Sequence, residues 1–186
     1  YAVRCEYHTR VSQMREHRFT PNARVSVGKL LEKYDTLAAA VEEAHANDLK
    51  IPGWMRINNE MIGKGLYGKF GPSTPFHLAH PEMRQLYRDG TATPRLSFAY
   101  PEVRRYLCEI AKEIMGYGTD GLMIDVLRHP PMVRFDKPLV DAFLEKTGAD
   151  PREMEGDGSE EWLRFRATAF TDLLRDLRAM LNDNGW

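Results

Sequence analysis

The sequence predicts an α/β fold, namely a section of a (β/α)8 TIM barrel with parallel strands that is incomplete at both ends. Two observations support this prediction. Short apolar runs alternate with amphipathic helical segments, and such βα alternation is typical of parallel sheets with right-handed crossovers. Strands are predicted only near 1–7, 51–57 and 121–127, and three parallel strands alone would leave sheet edges and one face poorly covered.

The composition indicates a single domain over residues 1–186. Hydrophobic residues make up 42% of the chain and the net charge is -1, so we expect a sizeable core and no global field that attracts nucleic acid. No apolar run reaches the roughly 20 residues that span a bilayer. Cys5 and Cys108 form neither a disulfide framework nor a metal cluster. We therefore expect no nucleic-acid partner, membrane-spanning segment, metal or cofactor, and the oligomeric state is left open.

The first strand and helix follow from alternation and capping signals. Residues 1–8 alternate apolar and polar side chains, which predicts a strand with a polar face. Residues 9–34 are predicted to be mostly loop, with a short helical piece near Leu30 and Leu31. Asp35 or Thr36 is then expected to cap a helix that runs to about Asn47.

A long insertion is predicted over residues 58–100, at the barrel mouth. It is rich in Gly, Pro, Ser and Thr, and one short helix is expected around 81–88. Loops of this length in a compact domain are usually functional or disordered. Its aromatic residues either contact sugar faces or only pack the loop: Tyr67, Phe70, Phe76 and Tyr87.

The carboxyl-terminal helices have clear start and stop signals. Pro101 suits the first turn of a helix that ends near Gly116 and Gly118. A short helix is predicted over 138–146, ended by Gly148, and Ser159 is expected to cap the last and longest helix.

Asp125 is the candidate catalytic residue. It is the only charged side chain in the run 122–127, and an unpartnered ionised carboxylate in a buried strand is costly. Side chains alternate along a strand, so the apolar neighbours are expected to face the helices. Asp125 then faces the barrel interior, within pairing reach of Arg56 or Arg4. The alternative is a buried Asp paired only for structure.

Residues near the ends of the predicted strands, most of them with the parity of Asp125, are candidates for substrate binding. They lie on, or directly after, the three predicted strands: Glu6, His8, Trp54, Arg56, Asn58, Arg128 and His129. Trp54 offers a stacking surface for a sugar ring or, alternatively, packs in the core. Arg56 either holds Asp125 ionised or forms a structural salt bridge.

Several segments together resemble the glycosyl-hydrolase-like family 10 group of bacterial TIM barrels. They are residues 44–54, 96–107 (LSFAYPEVRRYL), 117–125 (YGTDGLMID), 143–148 (FLEKTG) and 162–166 (WLRFR). Asp48 replaces a usual Gly, and 128–130 departs from a common aromatic-Arg-aromatic-Pro ending. The resemblance covers most of residues 35–180. It implies a (β/α)8 fold, activity on a polysaccharide or oligosaccharide, and a secreted or cell-envelope location.

The resemblance also implies a role for Asp125. The distantly similar α-amylase-type barrels place their nucleophilic Asp at the end of the fourth strand and an acid Glu after the fifth. Asp125 would then be the nucleophile, the acid would lie beyond Trp186, and this section alone would be inactive. Retaining hydrolysis needs two carboxyl groups about 5–5.5 Å apart. Glu60 is a second carboxylate candidate, and its alternative is a solvated loop residue.

Two other function classes are compatible with the sequence. The first is a non-catalytic carbohydrate-binding barrel that keeps the cleft but not both carboxyl groups. The second is a metal-dependent barrel hydrolase that uses His8, His77 or His80. The spacing of His77 and His80 suits a metal ion, but no third ligand of suitable spacing accompanies them.

Overall fold

The computed structural model describes residues 4–5, 7–14, 27–57, 74–126, 130–156 and 158–186. These residues form a mixed α/β fold. The strands are β1 (Arg4–Cys5), β2 (Gln13–Met14), β3 (Pro52–Arg56), β4 (Arg84–Leu86), β5 (Ala92–Leu96) and β6 (Gly121–Asp125). The helices are α1 (Val27–Leu31), α2 (Thr36–Ala46), α3 (Pro75–Ala79), α4 (Pro101–Met115), α5 (Lys137–Thr147) and α6 (Glu160–Asp183), and one 3-10 turn covers Pro81–Met83.

The described strands form three separate two-stranded sheets. β3 pairs with β6 in parallel, in a register that sets Arg56 opposite Asp125. The predicted parallel pairing of 51–57 with 121–127 is therefore confirmed. The first predicted strand does not join them, because β1 pairs in parallel with β2. The expectation that the strands near 1–7, 51–57 and 121–127 share one parallel sheet is therefore wrong for the described residues, and the described strands do not close a barrel.

Hydrogen bonds to α4 explain where the chain goes after β1. The hydroxyl groups of Tyr7 and Thr9 donate to Glu113 Oε2 over 3.0 and 2.6 Å. The Ser12 hydroxyl lies 2.7 Å from that of Tyr106. These contacts hold residues 7–12 against α4, so this segment does not continue alongside β3.

The core lies between the β3–β6 sheet and the helices that pack on it. Gly53 in β3 faces α4, and a Cβ atom at this position would lie only 2.1 Å from Ile114 Cγ2. The close approach of helix and strand therefore requires glycine. α4 also packs on α6, where Trp162 and Leu173 are fully buried. One face of the sheet is thus covered by the helical layer.

The predicted capping and stop signals of α2, α5 and α6 are confirmed. Asp35 Oδ1 accepts hydrogen bonds from the backbone N–H groups of Leu37 and Ala38, which caps α2. Ser159 accepts one from Trp162 N and caps α6. Gly148 ends α5 with a φ of 74°, a conformation that glycine adopts without strain.

The segment before α4 differs from the prediction. Instead of a loop with a helix over 81–88, the chain forms an antiparallel hairpin of β4 and β5. Its turn contains Asp89 and Gly90, whose φ is 83°, and Tyr87 N donates to Thr91 O over 2.8 Å. The predicted helix is wrong because Asp89-Gly90, between the short strands 84–86 and 92–96, favours a tight turn that returns the chain. The hairpin leads directly into the first turn of α4, while residues 58–73 of the predicted insertion lie outside the described residues.

α6 is the longest helix, but its sequence is amphipathic. Trp162, Ala169, Leu173 and Leu177 are buried along one side, and most of its charged residues lie away from that side. Within the described ranges, no helix combines the length and the apolarity that crossing a bilayer requires.

Candidate functional site

Arg56 and Asp125 form an ion pair at the carboxyl ends of two parallel strands. The strand register places them directly opposite each other, and Arg56 Nε lies 3.1 Å from Asp125 Oδ2. The Asp125 side chain is 4% exposed, while that of Arg56 is 28% exposed. The predicted pairing of Asp125 with Arg56 is therefore confirmed.

Trp54 and Met123 extend this arrangement along the same sheet face. They also lie opposite each other, two residues before Arg56 and Asp125, and both are largely exposed, Trp54 to 57%. The guanidinium carbon of Arg56 lies 4.7 Å from the centroid of the Trp54 ring, a cation–π contact. We call Trp54, Arg56, Met123 and Asp125 the sheet-face cluster.

The alternation of side chains explains why this cluster faces away from the helices. The residues of opposite parity in β6 and just after it pack against the hydrophobic core: Leu122, Ile124 and Val126. Met55 in β3 has the same orientation and is 3% exposed. Asp125 therefore points to the face opposite the helical layer, as the period of two predicts. The exposure of Trp54 also shows that it is not a core residue.

His8 lies elsewhere. Its ring Nε2 is 2.7 Å from Leu31 O, and Nδ1 is 3.6 Å from Asp35 Oδ2. Its backbone oxygen accepts a hydrogen bond from Tyr117, which precedes β6. His8 therefore sits beside the amino-terminal end of β6, whereas Asp125 ends that strand. The structure does not bring this predicted binding residue into the sheet-face cluster.

Several other predicted residues lie outside the described part of the chain. They are the candidates for substrate binding Glu6, Asn58, Arg128 and His129, the carboxylate candidate Glu60, and the loop aromatics Tyr67 and Phe70. Two further loop aromatics are described. Phe76 stacks on Tyr106 with ring centroids 4.2 Å apart, and Tyr87 lies under the guanidinium of Arg134. Both therefore make packing contacts within the domain.

The histidines of α3 have neighbours of their own. His77 is 3% exposed and its Nδ1 lies 2.7 Å from the Thr74 hydroxyl. Burial, with a contribution from Arg84, lowers the pKa of His77 to about 4. His80 Nδ1 lies 3.2 Å from Glu82 Oε1. Among the described residues, no group of three or more His, Cys, Asp or Glu side chains is arranged to hold a metal ion.

No family model, no curated protein and no solved structure matches this chain. The resemblance described above therefore rests on its quoted segments alone.

A second buried carboxyl group was not predicted. Asp136 is fully buried and accepts hydrogen bonds from Ser97 Oγ over 2.6 Å and from Leu86 N over 3.2 Å. Burial raises the pKa of Asp136 to about 6, although both hydrogen bonds oppose the shift. The residue joins the β4–β5 hairpin to the start of α5, where it is the N-cap. Pro138 in the first turn was the available sequence signal, since it places Asp136 just before the helix.

Proposed function

We propose that this chain is the glycoside hydrolase domain of a protein that acts on a polysaccharide or oligosaccharide, with Asp125 as a catalytic carboxylate. The observation that carries the proposal is the Arg56–Asp125 ion pair at the carboxyl ends of adjacent parallel strands. Barrel enzymes of the α/β class place their catalytic residues at that end of the strands. The resemblance to the glycosyl-hydrolase-like family 10 group supports the same reaction class.

The neighbours of Asp125 suit this chemistry. A guanidinium next to a carboxyl group favours its ionised form, which is the form that a nucleophile requires. Trp54 projects from the same face with most of its surface open, and an aromatic ring of this kind can stack on the apolar face of a sugar. The cluster therefore combines a candidate nucleophile with a candidate sugar platform.

We further propose that the β3–β6 sheet is a section of a (β/α)8 barrel. α4 covers one face of the sheet, while Trp54 and Met123 on the other face are largely exposed. In a complete barrel, that second face would line the interior. The second carboxyl group that hydrolysis requires is expected at the end of the next strand, about 5–5.5 Å from Asp125 in a retaining enzyme and about 6.5–9.5 Å in an inverting one.

A non-catalytic carbohydrate-binding role is the second candidate, and one observation favours it. The Trp54 residue is 57% exposed, whereas the Asp125 side chain is 4% exposed. The surface that is open to a sugar is thus the indole ring rather than the carboxylate. The metal-dependent alternative has no such support among the described residues.

Asp125→Asn and Trp54→Ala in the whole protein separate the two roles. If Asp125 is the nucleophile, Asp125→Asn abolishes glycan hydrolysis but keeps glycan binding, because the amide keeps the shape and cannot attack. Trp54→Ala weakens binding in both cases. Asp120→Asn is the matched control, since Asp120 lies at the other end of β6 and binds Ile51 N and His45.

The outcomes distinguish the proposals. A wild-type protein that binds glycans without hydrolysing them supports the binding role. Near-normal turnover by Asp125→Asn would show that Asp125 has a structural and not a catalytic role. A wild-type protein that neither binds nor hydrolyses any glycan in a broad panel contradicts both proposals.

A further inference from the structure

One edge of the Arg56 guanidinium, the edge that carries Nη1 and Nη2, is open in the sense that it has no hydrogen-bond partner among the described residues. Arg56 uses Nε to bind Asp125, and within the described part of the chain Nη1 and Nη2 make no hydrogen bond to protein. Because Arg56 is 28% exposed and Asp125 only 4%, a ligand that arrives from solvent meets the two Nη groups before it meets the carboxylate.

Two other arginines, Arg104 and Arg88, use the terminal edge of the guanidinium differently. Arg104 Nε binds Asp176 and its Nη1 donates to Phe98 O over 3.0 Å. Arg88 donates through both Nη atoms to carbonyl oxygens of the segment 152–156. In both side chains the terminal edge is engaged in holding the fold, whereas that of Arg56 is not.

The open edge has a preferred ligand chemistry. Nη1 and Nη2 present parallel N–H groups whose spacing matches the two oxygens of a carboxylate. A neutral hydroxyl group accepts only a single, weaker hydrogen bond from the same edge. Asp125 already offsets the charge of Arg56, so attraction at long range is weak and recognition depends on this direct contact.

Trp54 indicates what the carboxylate is attached to. The guanidinium lies over one face of the exposed Trp54 ring, with Cζ 4.7 Å from the ring centroid. A carboxylate on the Nη edge therefore brings its own ring next to the indole. We propose that the sheet-face cluster recognises the carboxylate of a uronic acid, so that the substrate is an acidic glycan. This inference rests on the proposed action on carbohydrate and adds the class of sugar.

The test compares two sugars that differ only at C6, methyl β-glucuronide and methyl β-glucoside. Titration of the chain is followed by NMR through the indole N–H of Trp54, which also locates the site. We expect the glucuronide to bind at least about tenfold more tightly at low salt, in line with one charge-assisted contact. The preference is expected to shrink in about 1 M salt, where the screening length is only about 3 Å.

Two variants test whether Arg56 is the residue that recognises the carboxylate. Arg56→Lys keeps a cation next to Asp125 but removes the planar fork, so the preference for glucuronide is expected to fall by about tenfold. Arg105→Lys is the control, because the Arg105 side chain is 75% exposed and lies on α4. It is expected to leave both affinities unchanged. Circular dichroism verifies the fold of each variant.

Each contrary result has its own meaning. Equal affinities of the wild type for the two sugars overturn the uronic acid inference and leave the carbohydrate proposal intact. If the wild type binds neither of the two sugars nor any glycan of the broad panel, the proposed action on carbohydrate is contradicted as well. An unchanged preference in Arg56→Lys overturns the assignment to Arg56. If Arg56→Lys does not fold, either of two wild-type results overturns the assignment to Arg56 instead. One is a preference for the glucuronide that salt does not weaken. The other is glucuronide binding that does not shift the indole N–H signal of Trp54.

Discussion

Arg56 Nε and Asp125 Oδ2 lie 3.1 Å apart across two parallel strands, at directly paired backbone positions. The pair is asymmetric, because the carboxylate is almost completely buried and the guanidinium reaches solvent. Removal of the cation therefore leaves a buried negative charge, which costs more than the loss of the contact itself. This asymmetry gives the pair a measurable signature in protein stability.

A double-mutant cycle is the first test of that signature. Arg56→Met alone is expected to lower the free energy of unfolding by about 2–3 kcal/mol, because it removes the guanidinium that offsets the buried negative charge of Asp125. Asp125→Asn in the Arg56→Met background is expected to recover part of this loss, with a coupling energy of about 1–3 kcal/mol. Urea denaturation measures all four proteins. Additive effects of the two changes contradict an energetic link between these residues.

Gly53 and Gly121 provide a matched test of the sheet packing. A Cβ atom at Gly53 meets Ile114 Cγ2 at 2.1 Å, whereas one at Gly121 on the paired strand meets nothing within 4 Å. Gly53→Ala is expected to destabilise the protein by about 1–3 kcal/mol through overpacking. Gly121→Ala should be neutral or stabilise by up to about 1 kcal/mol, since it restricts the unfolded chain.

Rescue distinguishes the clash from other effects of the added methyl group. Ile114→Ala removes the Cγ2 atom that the added methyl group of Gly53→Ala would meet. Gly53→Ala should therefore lower the free energy of unfolding less in the Ile114→Ala background than in the wild type. Thermal unfolding of the single and double variants measures the difference. Equal costs of Gly53→Ala in both backgrounds would show that α4 does not pack on Gly53 in this way.

Local signals in the sequence predicted the helices well. Asp35 and Ser159 cap α2 and α6, and Gly148 ends α5, because each of these features is decided by hydrogen bonds and φ angles within a few residues. The strand pair was also predictable, since short apolar runs between helices indicate buried parallel strands. The orientation of the Asp125 side chain was predictable from the same pattern, because side chains alternate along a strand.

The β4–β5 hairpin had a signal that the prediction over 81–88 did not use. Asp89 and Gly90 lie between two short runs that pair with each other, and the positive φ of Gly90 completes the turn. Other features had no local signal. The contacts of Ser97 with Asp136 and of Tyr7 with Glu113 join residues far apart in sequence. Such contacts depend on tertiary packing, which no periodicity or spacing encodes.

His77 is expected to make stability fall on acidification. Burial lowers its pKa in the folded protein to about 4, against 6.5 for the free side chain. The stabilisation is therefore fully present above pH 6.5 and is lost as the pH falls towards 4, because the unfolded chain binds a proton that the folded protein does not. Between pH 7 and 4, the wild type should lose about 3 kcal/mol relative to His77→Gln.

Denaturant unfolding at several pH values measures this difference. Subtracting the curve of His77→Gln from that of the wild type removes the contribution of other titrating groups. NMR of the ring should also find His77 neutral at pH 5.5. A ring that gains its proton near pH 6.5 would contradict the buried position of the side chain.

Asp136 has the opposite dependence on pH. Its folded pKa of about 6 lies above the ordinary 3.8, because burial disfavours the charged form. The stabilisation is fully present below pH 3.8 and is lost as the pH rises through 6. Relative to Asp136→Asn, which stays neutral, the wild type should lose about 3 kcal/mol between pH 3.5 and 7. Unfolding free energies of the two proteins over this range give the profile.

Ser97→Ala tests the physical origin of the profile. The Ser97 hydroxyl donates to Asp136 Oδ2 over 2.6 Å and lowers the pKa of the carboxyl group. Without this hydrogen bond the folded pKa of Asp136 should rise further, so the loss of stability should continue to a higher pH and become larger at pH 8. A Ser97→Ala profile identical to that of the wild type would mean that this hydrogen bond does not stabilise the ionised form.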